Sequence, residues 1–182
     1  MAVCITTFRT VAGSFTAPHA CLGRINNLLV RDSSPEMFVT AFYAILNIRT
    51  GELRYCNGGH NLPYLVRADG SVTELEQTVG ILLGMFEDFT FSHNTITLGP
   101  GDKLFMYTDG VTEAMNERSE FYDEARLELQ LTSHGSQNAG ALLRKIRESI
   151  SEFTADAEQS DDITMMMLEY HGNRAGEQQG IA

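Results

Sequence analysis

The 182-residue chain is poor in cysteine, and its cysteines follow no metal-binding or disulfide pattern. Cys4, Cys21 and Cys56 are odd in number, and no two of them form a Cys-x-x-Cys pair. Disulfide-stapled domains and thiolate zinc sites both show characteristic cysteine spacing, so neither is indicated here. We expect the three thiols to stay reduced and to fill the core, as is usual in a cytosolic compartment.

Basic residues and long apolar runs are also scarce. Lys and Arg together number 13 against 24 Asp and Glu residues, which gives a formal net charge of −11. Nucleic-acid backbones and anionic membrane surfaces would both repel such a chain, whereas a divalent cation would be attracted to it. No apolar stretch is long enough to cross a bilayer, and Arg9 interrupts the one nearest the first residue. We therefore expect no membrane contact, no secretion signal and a cytoplasmic location, although a longer parent protein could be membrane-anchored.

The apolar share of 43% is enough for a sizeable core, and its spacing changes along the chain. Helical periodicity predicts helices at 2–11, 17–30 and 123–131, and a further helix that is capped by Ser136. Extended segments predict strands at 37–48, 53–56, 64–67, 72–75, 89–98 and 163–170, besides the strand that begins at Lys103. This order indicates an α/β (α+β) fold in which helices cover mostly antiparallel sheets. Within the last strand, we expect Met165, Met166 and Met167 to pack in the core.

Two groups of carboxylates lie at the ends of two predicted strands. The strand that begins at Lys103 runs into Asp109-Gly110, and Asp161-Asp162 precedes the last strand. If these strands pair antiparallel, Asp109 comes to lie beside Asp161 and Asp162. Clustered carboxylates repel one another unless a cation lies between them, and hard oxygen donors suit Mg²⁺ or Mn²⁺ better than zinc. The residues predict a divalent metal site, although Asp109 alone would more often be a turn residue, and Asp161-Asp162 alone could merely end a loop.

The most informative stretch is LGPGDKLFMYTDGVTEA at 98–114, which is followed far downstream by SDDIT at 160–164. Together these stretches resemble the metal-dependent serine/threonine protein phosphatases of the PPM family, and within it the SpoIIE-like (RsbU-like) branch. The resemblance covers residues 1–170. Further segments are similar to that branch and occur in its order: MFVTAFY at 37–43, TGEL at 50–53, NGGHNLP at 57–63 and GILLG at 80–84.

The resemblance implies a phosphatase-type αββα sandwich of mostly antiparallel sheets flanked by helices. It assigns residues 1–170 to one phosphatase domain, and it leaves 171–182, which are small, polar and without periodicity, as a disordered tail. Family members begin this domain with strands that carry an Asp-containing, Gly-rich metal-binding loop, and this chain starts after that loop. We therefore expect an N-terminally truncated domain that is inactive or impaired as this fragment.

The implied chemistry in a complete member is hydrolysis of a phosphoserine or phosphothreonine by a water that two Mn²⁺ or Mg²⁺ ions activate. The family's Asp-Gly and Asp-Asp motifs map onto Asp109 and Asp161, which are the expected catalytic metal ligands. Asp162 is an adjacent candidate ligand, and the choice between it and Asp161 stays open. The implied partners are a phosphorylated regulatory protein of bacterial signalling, such as an anti-sigma factor antagonist, and an upstream sensor or receiver module.

Other interpretations of the same residues remain open. The chain could be a catalytically degenerate module that uses the same scaffold to bind a protein without turnover. Exposed sheet edges could also pair two copies into a homodimer. His60 lies in a Gly-rich corner and could be a general acid, but such a histidine more often holds its loop through a hydrogen bond, which is the role we favour.

Overall fold

The computed structural model describes residues 2–32, 38–159 and 161–173. The predicted disordered tail falls mostly on residues 174–182, which lie outside this range, so the division into a domain and a tail stays a prediction. No helix in the described ranges has the length and apolar character that a membrane span needs. The described elements are the helices α1 (Ala2–Ala12), α2 (Pro18–Asp32), α3 (Asp123–His134) and α4 (Ala139–Thr154), and the strands β1 (Ala41–Leu46), β2 (Glu52–Gly58), β3 (Tyr64–Val66), β4 (Val72–Glu74), β5 (Asn94–Thr97), β6 (Lys103–Tyr107) and β7 (Met165–Glu169).

The first of two compact units comprises Met1–Asn47, Gly51–Leu62 and Glu76–Thr97. Its sheet is antiparallel, with β2 between β1 and β5. Helix α2 packs on β1 and β2, and α1 packs on α2. The apolar side chains of α2 are therefore covered by the sheet and by α1. The core of this unit includes Cys21, Leu22, Ile25, Leu29, Cys56, Leu83 and Phe91.

Two of the three cysteines lie inside this core, as the sequence predicts. Cys21 and Cys56 are both free and fully buried. Burial raises the pKa of the Cys56 thiol to about 11, and it also raises the pKa of Cys21. Both thiols are therefore protonated at neutral pH and behave as small apolar side chains. The side chain of Cys4 lies outside the described part of the structure.

A Gly-rich corner at the end of β2 contains His60. The Asn57 side chain donates from Nδ2 to the His60 carbonyl over 2.8 Å and accepts from the His60 amide over 3.0 Å. Gly80 packs so closely that a Cβ atom there would lie 1.8 Å from the Asn57 carbonyl oxygen. The His60 ring lies 3.3 Å from Thr40 Oγ1 through Nδ1. The Asn57 side chain and the His60 backbone hold the corner, and the His60 ring also contacts Thr40.

The second unit comprises Ile48–Thr50, Pro63–Leu75 and Leu98–Ala182. Its four strands form an antiparallel sheet in the order β4-β3-β6-β7. Helix α4 packs on β7, and α3 packs on α4 and beside β4. The core between this sheet and its two helices includes Tyr64, Val66, Phe105, Tyr107, Leu127, Leu131, Leu142, Ile146 and Ile150.

Lys103 of β6 and Glu169 of β7 form hydrogen bonds at the C-terminus of α3 and at the N-terminus of α4. Lys103 and Glu169 are partners in the strand register. The buried Lys103 ammonium donates to the carbonyls of Gly101 over 3.2 Å and of Gly135, the C-cap of α3, over 3.1 Å. The Glu169 carboxylate accepts from the amide of Ala139, the first residue of α4, over 2.8 Å. A cation thus lies at a helix C-terminus and an anion at a helix N-terminus, which both helix dipoles favour.

The N-cap of α4 differs from the sequence prediction. The cap is Asn138, whose Oδ1 accepts from the Ala141 amide over 2.9 Å. Ser136 was the wrong choice because it lies in the turn that follows α3, before the chain becomes extended at Asn138. Asn and Ser are about equally good N-caps, so the sequence alone offers two candidate N-caps that lie two residues apart.

Two strand predictions also need correction. The strand predicted at 89–98 is shorter in the structure, where it comprises Asn94–Thr97. Phe89 and Phe91 pack in the core instead, with their rings edge to face and the ring centroids 4.9 Å apart. Met166 is 58% exposed, whereas Met165 and Met167 pack against the core. Successive side chains of a strand point to opposite faces, so only the outer two methionines reach the helices.

A strained turn follows α4 at Ala155. The backbone there has φ 47° and ψ −117°, and the Ala157 amide donates to the Thr154 carbonyl over 2.9 Å to close the turn. This φ favours glycine, because a Cβ atom adds roughly 1–2 kcal/mol of strain at positive φ.

We expect Ala155→Gly to raise the free energy of unfolding by about 1 kcal/mol, because the relief of strain exceeds the extra entropy that glycine loses on folding. Urea unfolding followed by circular dichroism measures this change. The matched control is Ala141→Gly, inside α4, where the same replacement should lower the free energy of unfolding by roughly 0.5–1 kcal/mol. Two variants that both lose stability would contradict the strain at Ala155.

Candidate metal and catalytic site

The end of β6 and the start of β7 lie side by side, as antiparallel pairing of the two predicted strands requires. The register runs from Lys103 opposite Glu169 to Tyr107 opposite Met165. Asp109 follows the last residue of β6, and Asp162 precedes the first residue of β7. The two acidic segments therefore lie at the same end of this strand pair in the second unit's sheet. The predicted juxtaposition of these segments is therefore confirmed.

Thr108 joins the two segments beyond the ends of the strands. Its amide donates to the Thr164 carbonyl over 3.0 Å, and its hydroxyl donates to the Asp162 carbonyl over 3.1 Å. The same hydroxyl accepts from the Thr164 amide over 3.0 Å. Sequence reasoning missed this residue, because a threonine at a strand end carries no signal that its hydroxyl will bond to a segment far along the chain.

Gly110 allows the closest approach between the two segments. It is buried, and a Cβ atom at this position would lie 2.6 Å from the Asp162 carbonyl oxygen. Glycine is required at this position because two backbone segments meet where no side chain fits.

The backbone around Asp109 forms a single 3₁₀ turn over Asp109–Val111. The backbone carbonyl of Asp109 accepts from the Glu113 amide over 2.9 Å. The side-chain Oδ1 of Asp109 accepts from the Gly110 amide over 3.1 Å. Asp161 is arranged similarly, because its Oδ1 accepts from the Asp162 amide over 2.7 Å. Each of these two carboxylates therefore has one oxygen held by local backbone, which fixes its direction.

Asp109, Asp161 and Asp162 are all exposed. None of the three forms an ion pair with a basic side chain in the ranges that the structure covers. A carboxylate without a basic partner keeps its charge available to a cation, whereas an ion-paired carboxylate is already balanced.

The donor set limits the kind of metal that these residues could hold. Within the described residues, no group of three or more His, Cys, Asp or Glu side chains is close enough to enclose an ion. Mg²⁺ keeps several of its waters and is commonly held by one or two carboxylates, so a pair of exposed carboxylates fits it. Zinc sites usually include histidine nitrogen or cysteine sulfur donors, and among the described residues none lies in these two segments. The residues present fit a hydrated Mg²⁺ or Mn²⁺ ion, and which of them are ligands stays a prediction.

A cavity of about 130 Å³ lies beside Asp161. One wall is the turn after β6 with Gly110, Ala114 and Met115. The opposite wall is formed by residues that follow or end α4 and precede β7, namely Thr154, Ala157, Glu158, Gln159, Asp161 and Ile163. The cavity therefore lies between the two segments that carry the acidic residues.

Comparison with known proteins places this fold and these motifs in one family. The Stage II sporulation protein E (SpoIIE) family matches residues 1–171. Protein IcfG of Synechocystis sp. is 34% identical over 132 residues, which cover 72% of this chain and 20% of that protein. Phosphoserine phosphatase RsbU of Bacillus subtilis is 27% identical over 152 residues, which cover 83% of this chain and 44% of RsbU. The chain thus spans less than half the length of these relatives.

Solved structures support the same assignment. The SiaA-PP2C domain of Pseudomonas aeruginosa aligns with a TM-score of 0.77 at 19% identity, over 93% of this chain and 66% of that one. The RsbU and RsbW domains of Rv1364c from Mycobacterium tuberculosis align with a TM-score of 0.74 at 22% identity, over 94% and 48% of the two chains. These likenesses confirm the predicted fold class, a PP2C-type α/β fold with antiparallel sheets and helices. The chain belongs to the SpoIIE family, in the RsbU-like branch of the metal-dependent PPM serine/threonine phosphatases, which are hydrolases.

Proposed function

We propose that this chain is the phosphatase part of a bacterial signalling regulator and removes phosphate from a serine or threonine of a regulatory protein. The observation that carries the proposal is the pairing of β6 with β7, which brings the Asp109 and Asp161-Asp162 segments together in a chain of the SpoIIE family. The relative RsbU is named a phosphoserine phosphatase, which supports the reaction class.

Asp109 and Asp161 would hold the metal, and Mn²⁺ or Mg²⁺ is the ion that their oxygens suit. When bound, such an ion lowers the pKa of a water and offsets the charge of the phosphoryl group. The chain's own part is positional: Thr108 fixes the two segments to each other, and Gly110 lets them approach. We favour Asp161 over Asp162 because Asp161 also lines the cavity, although Asp162 remains an adjacent candidate.

The substrate would be a phosphorylated regulatory protein, such as an anti-sigma factor antagonist. The RsbU and RsbW domains of Rv1364c, which occur together in one solved chain, support a role beside such regulators. A sensor or receiver module in a longer protein would control the activity, and the reaction would take place in the cytoplasm. Self-association through sheet edges stays a prediction.

A second function is favoured by one observation. The described residues contain no group of three acidic, histidine or cysteine side chains that could enclose an ion. A module that binds a phosphoprotein without turnover would need no such group. The two functions differ in one measurable property, which is metal-dependent hydrolysis.

The test is hydrolysis of p-nitrophenyl phosphate and of a phosphoserine peptide by this chain, with Mn²⁺ and with a chelator in its place. We expect slow Mn²⁺-dependent turnover, and a further decrease of about 100-fold or more in Asp109→Asn and Asp161→Asn, since loss even of a group behind a metal ligand costs 10–100-fold. Asp156→Asn is the matched control, because Asp156 is exposed and its replacement removes the same charge outside the site.

Turnover separates the two functions, and calorimetry with Mn²⁺ shows in addition whether the ion binds. Turnover that survives in both Asp109→Asn and Asp161→Asn would contradict the proposed ligands. Mn²⁺ and phosphopeptide binding without any turnover would favour the binding module over the phosphatase.

A further inference from the structure

The cavity beside Asp161 has an amphipathic lining. Gly110, Ala114, Met115 and Ile163 contribute apolar surface. Glu158 stands on the same wall as Asp161 and is exposed to solvent. The cavity thus combines an apolar wall with polar groups, which include Thr154, Gln159 and the carboxylates of Glu158 and Asp161.

All the formal charges on this lining are negative. Glu158 and Asp161 are its ionisable residues, and no Lys, Arg or His contributes to it. Glu158 forms no hydrogen bond or ion pair with any residue that the structure describes. A ligand with an apolar stem and a cationic head would match both parts of this surface, because its methylene groups could cover the apolar wall while its charge meets Glu158.

The size of the cavity agrees with one side chain of that type. A volume of about 130 Å³ corresponds to roughly four water molecules, each of which occupies about 30 Å³ in the liquid. The four methylene groups and the ammonium of a lysine need a space of that order.

We infer that this cavity, between the Asp109 and Asp161 segments, binds a lysine or arginine side chain that neighbours the phosphorylated residue of the substrate. The inference rests on the proposed function and extends it to the class of substrate. A basic side chain there would also counter the repulsion between the phosphoryl group and this acidic edge, which the net charge of −11 increases. Glu158 is then a specificity residue that contacts the substrate and takes no part in the bond-breaking step.

The experiment uses short fluorescein-labelled phosphoserine peptides that are identical except for the residue beside the phosphoserine. Three residues are compared at that position: lysine, norleucine and glutamate. Norleucine keeps the apolar stem of lysine without its charge. Each residue is tested on the N-terminal side and on the C-terminal side of the phosphoserine. Dissociation constants for the full chain in Mn²⁺ are measured by fluorescence anisotropy. We expect the better lysine peptide to bind about fivefold more tightly than its norleucine counterpart, the gain of one partly exposed ion pair, and the glutamate peptide to bind most weakly.

Variants locate the effect. In Glu158→Gln the lysine peptide should bind no better than the norleucine peptide, whereas Glu152→Gln, an exposed α4 residue outside the cavity, should keep the full preference. The methyl resonance of Met115 should shift on addition of the lysine peptide and not of the glutamate peptide. Equal affinities for the three peptides, or a lysine preference that survives in Glu158→Gln, would overturn the inference.

Binding and turnover report separately on the two proposals. A lysine preference without hydrolysis of p-nitrophenyl phosphate supports the cavity's role and contradicts the phosphatase. Hydrolysis without any lysine preference supports the phosphatase and contradicts the cavity's role.

Discussion

Gly110→Ala is expected to lower the free energy of unfolding by about 3 kcal/mol, at the upper end of what overpacking costs. The added Cβ atom would lie 2.6 Å from the Asp162 carbonyl oxygen, a distance that real Cβ atoms do not adopt. That carbonyl cannot retreat freely, because it accepts the hydroxyl of Thr108 over 3.1 Å. Relief of the clash therefore requires the two acidic segments to separate.

The same substitution should abolish most of the metal-dependent hydrolysis, although it removes no charge and no metal donor. Displacement of the Asp162 backbone also displaces Asp161, whose direction depends on the Asp162 amide. Urea unfolding and p-nitrophenyl phosphate hydrolysis on the same preparation measure both effects. At a temperature where the variant is fully folded, the loss of activity reports on the site itself.

Gly140→Ala is the matched control for this prediction. Gly140 lies in α4, and the nearest atoms to an added Cβ would be 3.7 Å away. Alanine is the better helix former, so this variant should gain roughly 0.5–1 kcal/mol of stability and keep its activity. A Gly110→Ala protein as stable and as active as the parent would show that the two segments are not packed as described.

The site illustrates what the sequence can and cannot predict. The proximity of the Asp109 segment to the Asp161-Asp162 segment followed from two apolar strands with acidic residues at matching ends, because antiparallel pairing brings those ends together. The hydroxyl of Thr108 and the close approach at Gly110 could not be predicted, since both depend on which backbone atoms meet after the strands have paired. The acidic cavity beside Asp161 is a property of packing for the same reason.

The fold shows the same division. The apolar stripe of α4 was predictable because Leu142, Ile146 and Ile150 recur at helical spacing and are all buried. The N-cap was not, because both Ser136 and Asn138 can accept a helix amide and only tertiary structure decides between them. The length of β5 was also not predictable, because alternation continues through Phe91 although that ring packs in the core.

The start of β6 depends on a buried carboxylate. Asp102 accepts hydrogen bonds from the Gly99 amide over 2.8 Å, the Ala68 amide over 2.9 Å and Arg67 Nη1 over 2.8 Å. Its side chain is only 6% exposed. These bonds connect the turn after β3 with the turn before β6, the strand that leads to Asp109.

Asp102→Asn is expected to lower the free energy of unfolding by about 3 kcal/mol at neutral pH, because two backbone amides and a guanidinium lose a charged acceptor. The value lies at the lower end of the range for broken buried pairs, since the Arg67 side chain is 40% exposed and water can solvate it. Glu117→Gln, at an exposed position of the same unit, should leave the stability unchanged.

The pH dependence of stability distinguishes a lost charge from a merely disturbed turn. Burial alone would raise the pKa of Asp102, but the bonds from Gly99, Arg67 and Ala68 outweigh it and lower the pKa below its usual range. A lowered folded-state pKa means that the carboxylate stabilises the protein above its unfolded pKa of about 3.9 and that this stability is lost as the pH falls through the folded-state value. We therefore expect the stability difference between the parent and Asp102→Asn to be constant from pH 7 to about pH 5 and to shrink at lower pH. Urea unfolding across this range measures it, and a difference that stays constant down to pH 2 would show that the charge of Asp102 does not hold β6 in place.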